Sequence, residues 1–174
     1  QKMAERVLHA LSIFFGSQQA PPDTRKEAHE HLEAFQSSVE AWTICTELLG
    51  RKELEASVHT FLAQTLHRKL QRDFAQIPPA HREGLKTTLM QHLVAFTCGP
   101  SVVRTQLCLC IVVLAFQLRE WQSPCQDLLS LFGAFEDKHE NGDEGWPPSL
   151  ICLLEILQYF WDELDAKELK VTSE

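Results

Sequence analysis

The sequence predicts an all-α fold in which antiparallel helix pairs stack side by side as a right-handed α-solenoid. Apolar residues recur at steps of three and four in every apolar segment, which is the period of an amphipathic helix. No segment alternates apolar and polar residues between hairpin turn residues, so no β-strand is expected. The apolar segments also begin at a nearly constant interval along the 174 residues, which predicts a repeated unit.

The composition indicates a soluble, globular chain that is long enough for a sizeable core. Hydrophobic residues make up 44% of the sequence and charged residues 23%. The longest apolar run, residues 107–116, is about half the length that a membrane-spanning helix needs. This run therefore predicts a buried helix, and no membrane contact is expected.

The formal net charge of −8 is confined to one end of the chain. Residues 1–135 carry 13 Lys and Arg against 13 Asp and Glu, whereas residues 136–174 carry 11 acids and three lysines. Nucleic-acid binding requires a concentrated basic face that displaces counterions from phosphates. Direct binding to nucleic acid is therefore not expected.

Helix signals divide the first half of the chain into three segments. The first helix covers residues 2–15, and Pro21-Pro22 precedes the second. The second helix is predicted to bend near Ser37-Ser38 and to continue as far as Gly50. The third covers about residues 53–74 and carries one apolar stripe. The residues of this stripe are Val58, Phe61, Leu62, Leu66, Leu70 and Phe74.

Proline and glycine also mark the helices of the second half. Pro78-Pro79 opens a fourth helix and Gly99-Pro100 closes it. Ser101 begins the most apolar helix, which ends near Arg119, and Ser123-Pro124 begins a shorter one. The sequence therefore predicts three further helices before the acidic end of the chain.

The acidic end contains a loop followed by a last helix. Residues 136–145 include no apolar side chain, which predicts a solvated or disordered loop. Ser149 then opens a strongly apolar helix that ends near Trp161. This helix has no following partner and carries apolar residues around much of its circumference. A longer array, or another molecule, is expected to cover it.

The apolar helices reveal an internal period. They begin near Lys2, Glu53, Ser101 and Ser149, at intervals of 51, 48 and 48 residues. Helix pairs with a period of about 40 to 47 residues are typical of HEAT and armadillo solenoids, in which stacked pairs share one core. The predicted repeats are near 2–49, 53–98 and 100–135, with an incomplete repeat at 148–174.

Three segments, in order and at similar spacing, resemble the N-terminal HEAT repeats of importin-β family nuclear transport receptors. They are residues 38–42 (Ser-Val-Glu-Ala-Trp), 61–70 (Phe-Leu-Ala-Gln-Thr-Leu-His-Arg-Lys-Leu) and 103–115 (Val-Arg-Thr-Gln-Leu-Cys-Leu-Cys-Ile-Val-Val-Leu-Ala). The residues that carry the likeness are Trp42, Phe61, Gln64, Thr65, Gln106 and Trp121. The sequence is most similar to the transportin-SR (transportin-3) and importin-13 branch, from which the insert at 136–145 departs.

The resemblance implies a receptor that moves between cytoplasm and nucleus. Members of the family bind protein cargo, touch nucleoporin Phe-Gly repeats in the pore, and bind the GTPase Ran in its GTP form. Ran contacts the inner helices of the N-terminal repeats, so this chain is expected to hold the Ran-binding end. Without the resemblance, a helical scaffold that binds protein partners outside transport explains the same pattern.

The expected partner-binding residues lie on the second and third predicted helices. They are Glu30, Glu33, Gln36, Ser37, Glu40, Arg68, Lys69 and Arg72. The simpler explanation is an ordinary hydrated helix face, with the cations placed to favour the dipole at a helix carboxyl end. Gln64 and Thr65 are expected to be buried, and the four tryptophans are expected to pack at repeat junctions.

No set of residues indicates catalysis, a metal or a cofactor. His29 with His31, or His29 with Glu33 four residues later, could supply two metal ligands on a helix, but zinc needs further ligands, and none is arranged beside them. The sequence has no phosphate-binding Gly-rich loop and no Gly-x-Ser-x-Gly motif. Four of the six cysteines fall in apolar helical pattern, which is typical of reduced, buried thiols.

Overall fold

The computed structural model describes residues 2–16, 20–133 and 146–171, with side chains described as far as residue 165. Within these ranges the chain forms eight α-helices and one 3-10 turn with no β-strand, which confirms the predicted all-α helical-repeat class. The elements are α1 (Lys2–Phe15), α2 (Pro22–Ser37), α3 (Glu40–Leu49), α4 (Ala56–Arg72), the 3-10 turn (Phe74–Gln76), α5 (Pro79–Ala95), α6 (Ser101–Gln117), α7 (Pro124–Gly133) and α8 (Pro148–Val171). The predicted acidic loop at 136–145 lies outside the described residues.

The helices group into two compact units, residues 1–79 (unit 1) and residues 80–174 (unit 2). The predicted repeat boundaries stay a prediction, because these units do not define individual repeats. Among the described helices, none combines the length and the apolar content that crossing a membrane requires.

Two helix contacts are the most extensive in unit 1. α1 packs against α2, and α3 packs against α4. The most deeply buried residues of this core are at most 3% exposed and follow the predicted steps of three and four. They include Val7, Leu11, Leu32, Phe35, Leu48, Leu62, Leu66 and Leu70. Burying side chains of this size contributes about 1.5–3 kcal/mol each before the entropy of folding is subtracted, so these stripes account for the packing.

A break in the backbone separates α2 from α3. Ser38 is extended, with φ −75° and ψ 156°, and its N–H donates to the carbonyl of Phe35. An extended residue cannot continue the helical hydrogen-bond ladder, so α2 ends, and Glu40 begins a new helix. The sequence predicted one bent helix here, whereas the structure has two helices.

Unit 2 is centred on α6, whose apolar residues are buried on several sides. Val103, Leu107, Ile111 and Leu114 are fully buried. α8 packs along α6 and also contacts α7. The predicted buried helix at 107–116 is therefore the core of this unit.

Candidate partner-binding surface

One glutamine joins the two helices on which most of the partner-binding residues were predicted. Gln36 on α2 donates from Nε2 to Oγ1 of Thr65 on α4, at 3.1 Å. Arg68, one turn along α4, donates from Nη1 to Oε1 of Gln36, at 2.9 Å. The Thr65 hydroxyl in turn donates to the carbonyl of Phe61, at 2.8 Å. Both ends of the Gln36 amide are thus used, and α2 and α4 meet at a fixed register.

This bridge brings an acidic helix face next to a basic one. Glu33 and Ser37 lie on either side of Gln36 in the sequence of α2, and both are exposed. Arg72 follows Arg68 by one turn of α4, and both are exposed as well. We call the exposed members of the predicted set the α2–α4 surface. Its residues are Glu30, Glu33, Ser37, Glu40, Arg68 and Arg72.

Two carboxylates of the α2–α4 surface have only weak local ion pairs. Glu30 lies 3.9 Å from Lys26, and Glu33 lies 3.4 Å from His29, in both cases between groups that are more than half exposed. Exposed pairs of this kind contribute about 0–1 kcal/mol, so a partner can displace them at little cost. The α2–α4 surface therefore offers carboxylates, a hydroxyl and guanidinium groups to a polar partner.

Lys69 was predicted as a partner contact, but the structure places it inside unit 1. Its side chain is 1% exposed, and Nζ donates to Oδ2 of Asp73 and to Oε1 of Gln76, both at 3.1 Å. The same nitrogen lies 5.2 Å from the ring centroid of Trp42, and the indole N–H donates to Gln76 at 3.3 Å. Lys69 therefore ties α4 to the 3-10 turn and to α3, and it does not belong to the α2–α4 surface.

The residues that carry the family likeness are divided between core and surface. Thr65 is fully buried and hydrogen-bonded, as expected, and Phe61 and Gln106 are half-buried. Gln64 is exposed, contrary to its expected burial, because it lies on the opposite side of α4 from Leu62 and Leu66.

Two of the four tryptophans are buried and two are exposed. Trp42 and Trp121 are buried, and the indole N–H of Trp121 donates to Oδ2 of Asp127, at 2.7 Å. The Lys86 ammonium lies 5.3 Å from the centroid of the Trp121 ring. Trp146 and Trp161 are 66% and 72% exposed, so the expectation that all four pack inside is wrong for these two.

The described residues contain no cluster of three or more metal-ligating side chains. His29, weighed as a ligand from the sequence, stacks on Phe14 with ring centroids 5.9 Å apart. All six cysteines are free, and the four expected to be buried are buried, whereas Cys98 and Cys125 are exposed. Burial raises the pKa of Cys45 to about 12, against the opposing charge of Lys69.

A buried thiol pair lies between α6 and α8. The sulfurs of Cys108 and Cys152 are 3.5 Å apart, and Cys108 lies 3.7 Å from a carboxylate oxygen of Glu155. The hydrogen bond to Cys152 and burial both raise the pKa of the Cys108 thiol. The other oxygen of Glu155 accepts from Arg104 at 3.1 Å. The protonated form of the Cys108 thiol is therefore favoured beside the ion pair of Glu155 and Arg104.

Sequence reasoning did not predict a groove of about 600 Å³ between α1 and α2. Basic and imidazole side chains line it from both helices, among them Arg6, His9 and His31, and carboxylates such as Glu27 lie between them. The sequence contained a pattern that could have predicted the groove, because its lining residues repeat at helical spacing along α1 and along α2. The groove carries charges of both signs, and it lies apart from the bridge formed by Gln36.

Comparison with known proteins identifies the region that contains the α2–α4 surface. Residues 28–95 match the model of the importin-beta N-terminal domain. The chain carries an importin-beta N-terminal domain. The match covers all of α4 and the carboxyl-terminal part of α2, so every residue of the α2–α4 surface falls inside this domain. The family resemblance predicted from the sequence is confirmed.

Relatives of this importin-beta N-terminal domain belong to the transportin and importin-13 group. The mRNA transport regulator MTR10 of Saccharomyces cerevisiae is 33% identical over 68% of this chain and 12% of its own length. Transportin MOS14 of Arabidopsis thaliana is 36% identical over 55% of this chain and 10% of its own length. Human importin-13 is 29% identical over 84% of this chain and 15% of its own length.

These relatives are a transport regulator, a transportin and an importin, and this chain is similar to one part of each. The chain spans between 10% and 15% of the length of the three named here. The importin-beta N-terminal domain therefore corresponds to a small part of each receptor.

Proposed function

We propose that this chain forms the Ran-binding part of a nuclear transport receptor of the transportin and importin-13 type. In this proposal the GTP form of Ran binds the α2–α4 surface, and binding is coupled to the uptake or release of protein cargo. The full receptor moves between cytoplasm and nucleus and contacts the Phe-Gly repeats of nucleoporins. The observation that supports this best is that the α2–α4 surface lies wholly within residues 28–95.

The geometry suits a polar partner that binds and leaves repeatedly. Gln36 fixes α2 against α4 before the partner arrives, so the two helices need little rearrangement relative to each other on binding. Their local ion pairs are weak and exposed, so they can be exchanged for contacts with the partner. Complementary charges of this kind increase the rate of association and the specificity of binding.

Coupling to cargo follows from thermodynamic linkage. If Ran-GTP weakens cargo binding, then cargo weakens Ran-GTP binding by the same factor, because both share one coupling free energy. An importer releases cargo when Ran-GTP binds, and an exporter binds both together. The sign of the coupling therefore distinguishes the two directions of transport.

The test is the affinity of the chain for Ran loaded with GTP or with GDP, measured by isothermal titration calorimetry. The GTP form should bind more tightly, and a combined Glu33→Ala and Arg68→Ala variant should weaken this binding about tenfold or more. Glu53→Ala changes an exposed acid of the same unit outside the α2–α4 surface, and it should leave the affinity unchanged. Equal affinity for both nucleotide states, in this chain and in the full receptor, would contradict the proposal.

A further inference from the structure

The amide of Gln36 has one orientation, which its neighbours on α4 determine. The Thr65 hydroxyl carries a single hydrogen, and the carbonyl of Phe61 accepts it at 2.8 Å. Thr65 Oγ1 can therefore only accept from Gln36, so the amide nitrogen must lie on the Thr65 side, at 3.1 Å. The amide oxygen then faces Arg68 and accepts from Nη1 at 2.9 Å. Gln36 thus presents its acceptor atom to the guanidinium.

The group that holds Arg68 is neutral, so the guanidinium keeps its full charge. In the part of the chain that the structure describes, the Arg68 side chain forms no ion pair and donates only to Gln36. A guanidinium has five N–H donors in a planar fork. Because Arg68 is exposed and is held at Nη1, the donors on Nη2 and Nε stay available to a partner.

An oriented guanidinium fork recognises a planar anion. A carboxylate accepts two parallel N–H bonds from it, which adds specificity as well as affinity. Carboxylates are also the anionic groups that an unmodified protein surface offers. Glu33 is exposed on α2, three residues before Gln36, so it repels a more highly charged anion such as a phosphate and attracts a cation. The complementary patch on a partner is therefore one Asp or Glu with a Lys or Arg beside it.

We propose that Arg68 binds a carboxylate of the partner through two hydrogen bonds, and that Gln36 is a positioning residue that orients the guanidinium for it. This inference rests on the proposed function, in which the partner is the GTP form of Ran, and it adds the chemical group that the α2–α4 surface recognises. Holding Arg68 in place before binding lowers the entropy cost of ordering a long side chain in the complex. Gln36 acts on affinity through Arg68.

The experiment measures the affinity of chain variants for Ran-GTP by isothermal titration calorimetry. Arg68→Lys keeps the charge but loses the planar fork, and it should weaken binding about tenfold or more. Gln36→Met keeps the length of the side chain but releases Arg68, and it should weaken binding about two- to tenfold. Adding Gln36→Met to Arg68→Ala should cause no further loss. Arg6→Lys changes an exposed arginine of α1 outside the α2–α4 surface, and this control should bind normally.

A second set of variants identifies the carboxylate. Each exposed Asp and Glu of Ran is replaced by Ala, and its affinity is measured for the wild-type chain and for Arg68→Ala. One replacement should weaken binding to the wild-type chain about tenfold or more and leave binding to Arg68→Ala unchanged. In a double-mutant cycle this result reports a direct pair.

Binding of Arg68→Lys as tight as that of the wild-type chain would overturn the proposal. So would an equal loss from Gln36→Met with and without Arg68→Ala, or the lack of any Ran carboxylate coupled to Arg68. Urea unfolding of each variant ensures that only folded molecules are compared. These three failures leave the preference for the GTP form intact. Equal affinity for both nucleotide states would instead contradict the proposed function, and this inference with it.

Discussion

Replacement of Lys69 by alanine should lower the free energy of unfolding by about 2–4 kcal/mol. The side chain is 1% exposed and makes two charge-assisted hydrogen bonds, to Asp73 and Gln76, worth about 1.5–3 kcal/mol each before the desolvation of the ammonium is subtracted. Its position over the Trp42 ring adds about 0.5–2 kcal/mol. Asp73 is 31% exposed and can regain water, which lowers the expected loss from the roughly 3–5 kcal/mol typical of a fully buried pair to about 2–4 kcal/mol.

Lys69→Met separates packing from charge at the same position. Methionine fills most of the space of the lysine stem, so only the hydrogen bonds and the cation–π contact are lost, and the cost should fall to about 1–2 kcal/mol. Urea unfolding followed by circular dichroism gives both values, and hydrogen exchange of the α4 amides shows whether the loss is local to unit 1. Arg72→Ala removes an exposed cation from the same turn and should change little. If Lys69→Ala unfolds at the same urea concentration as Arg72→Ala, the buried contacts of Lys69 contribute no net stability, which refutes the prediction.

Three other predictions concern unit 2 and the cysteines. Glu155→Gln weakens the contact with Arg104, whose side chain is 14% exposed. The free energy of unfolding, measured in urea, should fall by about 1–3 kcal/mol. An equal loss in the variant Asp162→Asn, at an exposed position, would contradict this prediction. At pH 8, a maleimide should label the exposed Cys98 and Cys125 rapidly and the four buried thiols only after unfolding. Mass spectrometry measures the labelling of each cysteine. Fast labelling of Cys108 in the folded protein would refute the prediction. Because burial raises the pKa of Cys45 from 9.0 to about 12, its protonated form is favoured in the fold. The contribution of the Cys45 thiol to the free energy of unfolding should be complete below pH 9 and should fall between pH 9 and about 12. Unfolding curves recorded across that pH range can test this.

The sequence was sufficient for the helices and most of the core, because a period of three to four residues identifies the buried side of each helix directly. The stripe from Leu62 to Leu70 lies in the core as predicted. The break at Ser38 was predicted only as a bend, because helix and extended backbone differ at a single residue, and serine is compatible with both.

The candidate site was harder to predict, because residue type was given more weight than position. Lys69 follows Leu62 by seven residues and Leu66 by three, so the spacing of the stripe already placed it on the buried side of α4. Gln64 lies on the opposite side from the same two leucines. The bridge from Gln36 to Thr65 and Arg68 was not predictable, since it joins residues about 30 positions apart, and their contact depends on how α2 packs near α4.

Arg68 and Lys69 show how one turn of α4 separates binding from stability. They are neighbours in sequence and carry the same charge, but a rotation of about 100° places Arg68 at the surface beside Gln36 and Lys69 in the interior, over the ring of Trp42. Arg68→Glu should therefore weaken Ran-GTP binding with little loss of stability. Lys69→Met should lower stability and leave the affinity of the folded molecules unchanged. Both substitutions could instead reduce the affinity per folded molecule to the same extent. In that case the buried contacts of Lys69 with Asp73, Gln76 and Trp42 would themselves hold the α2–α4 surface in its binding conformation. Binding and stability would then not be separable at these two positions.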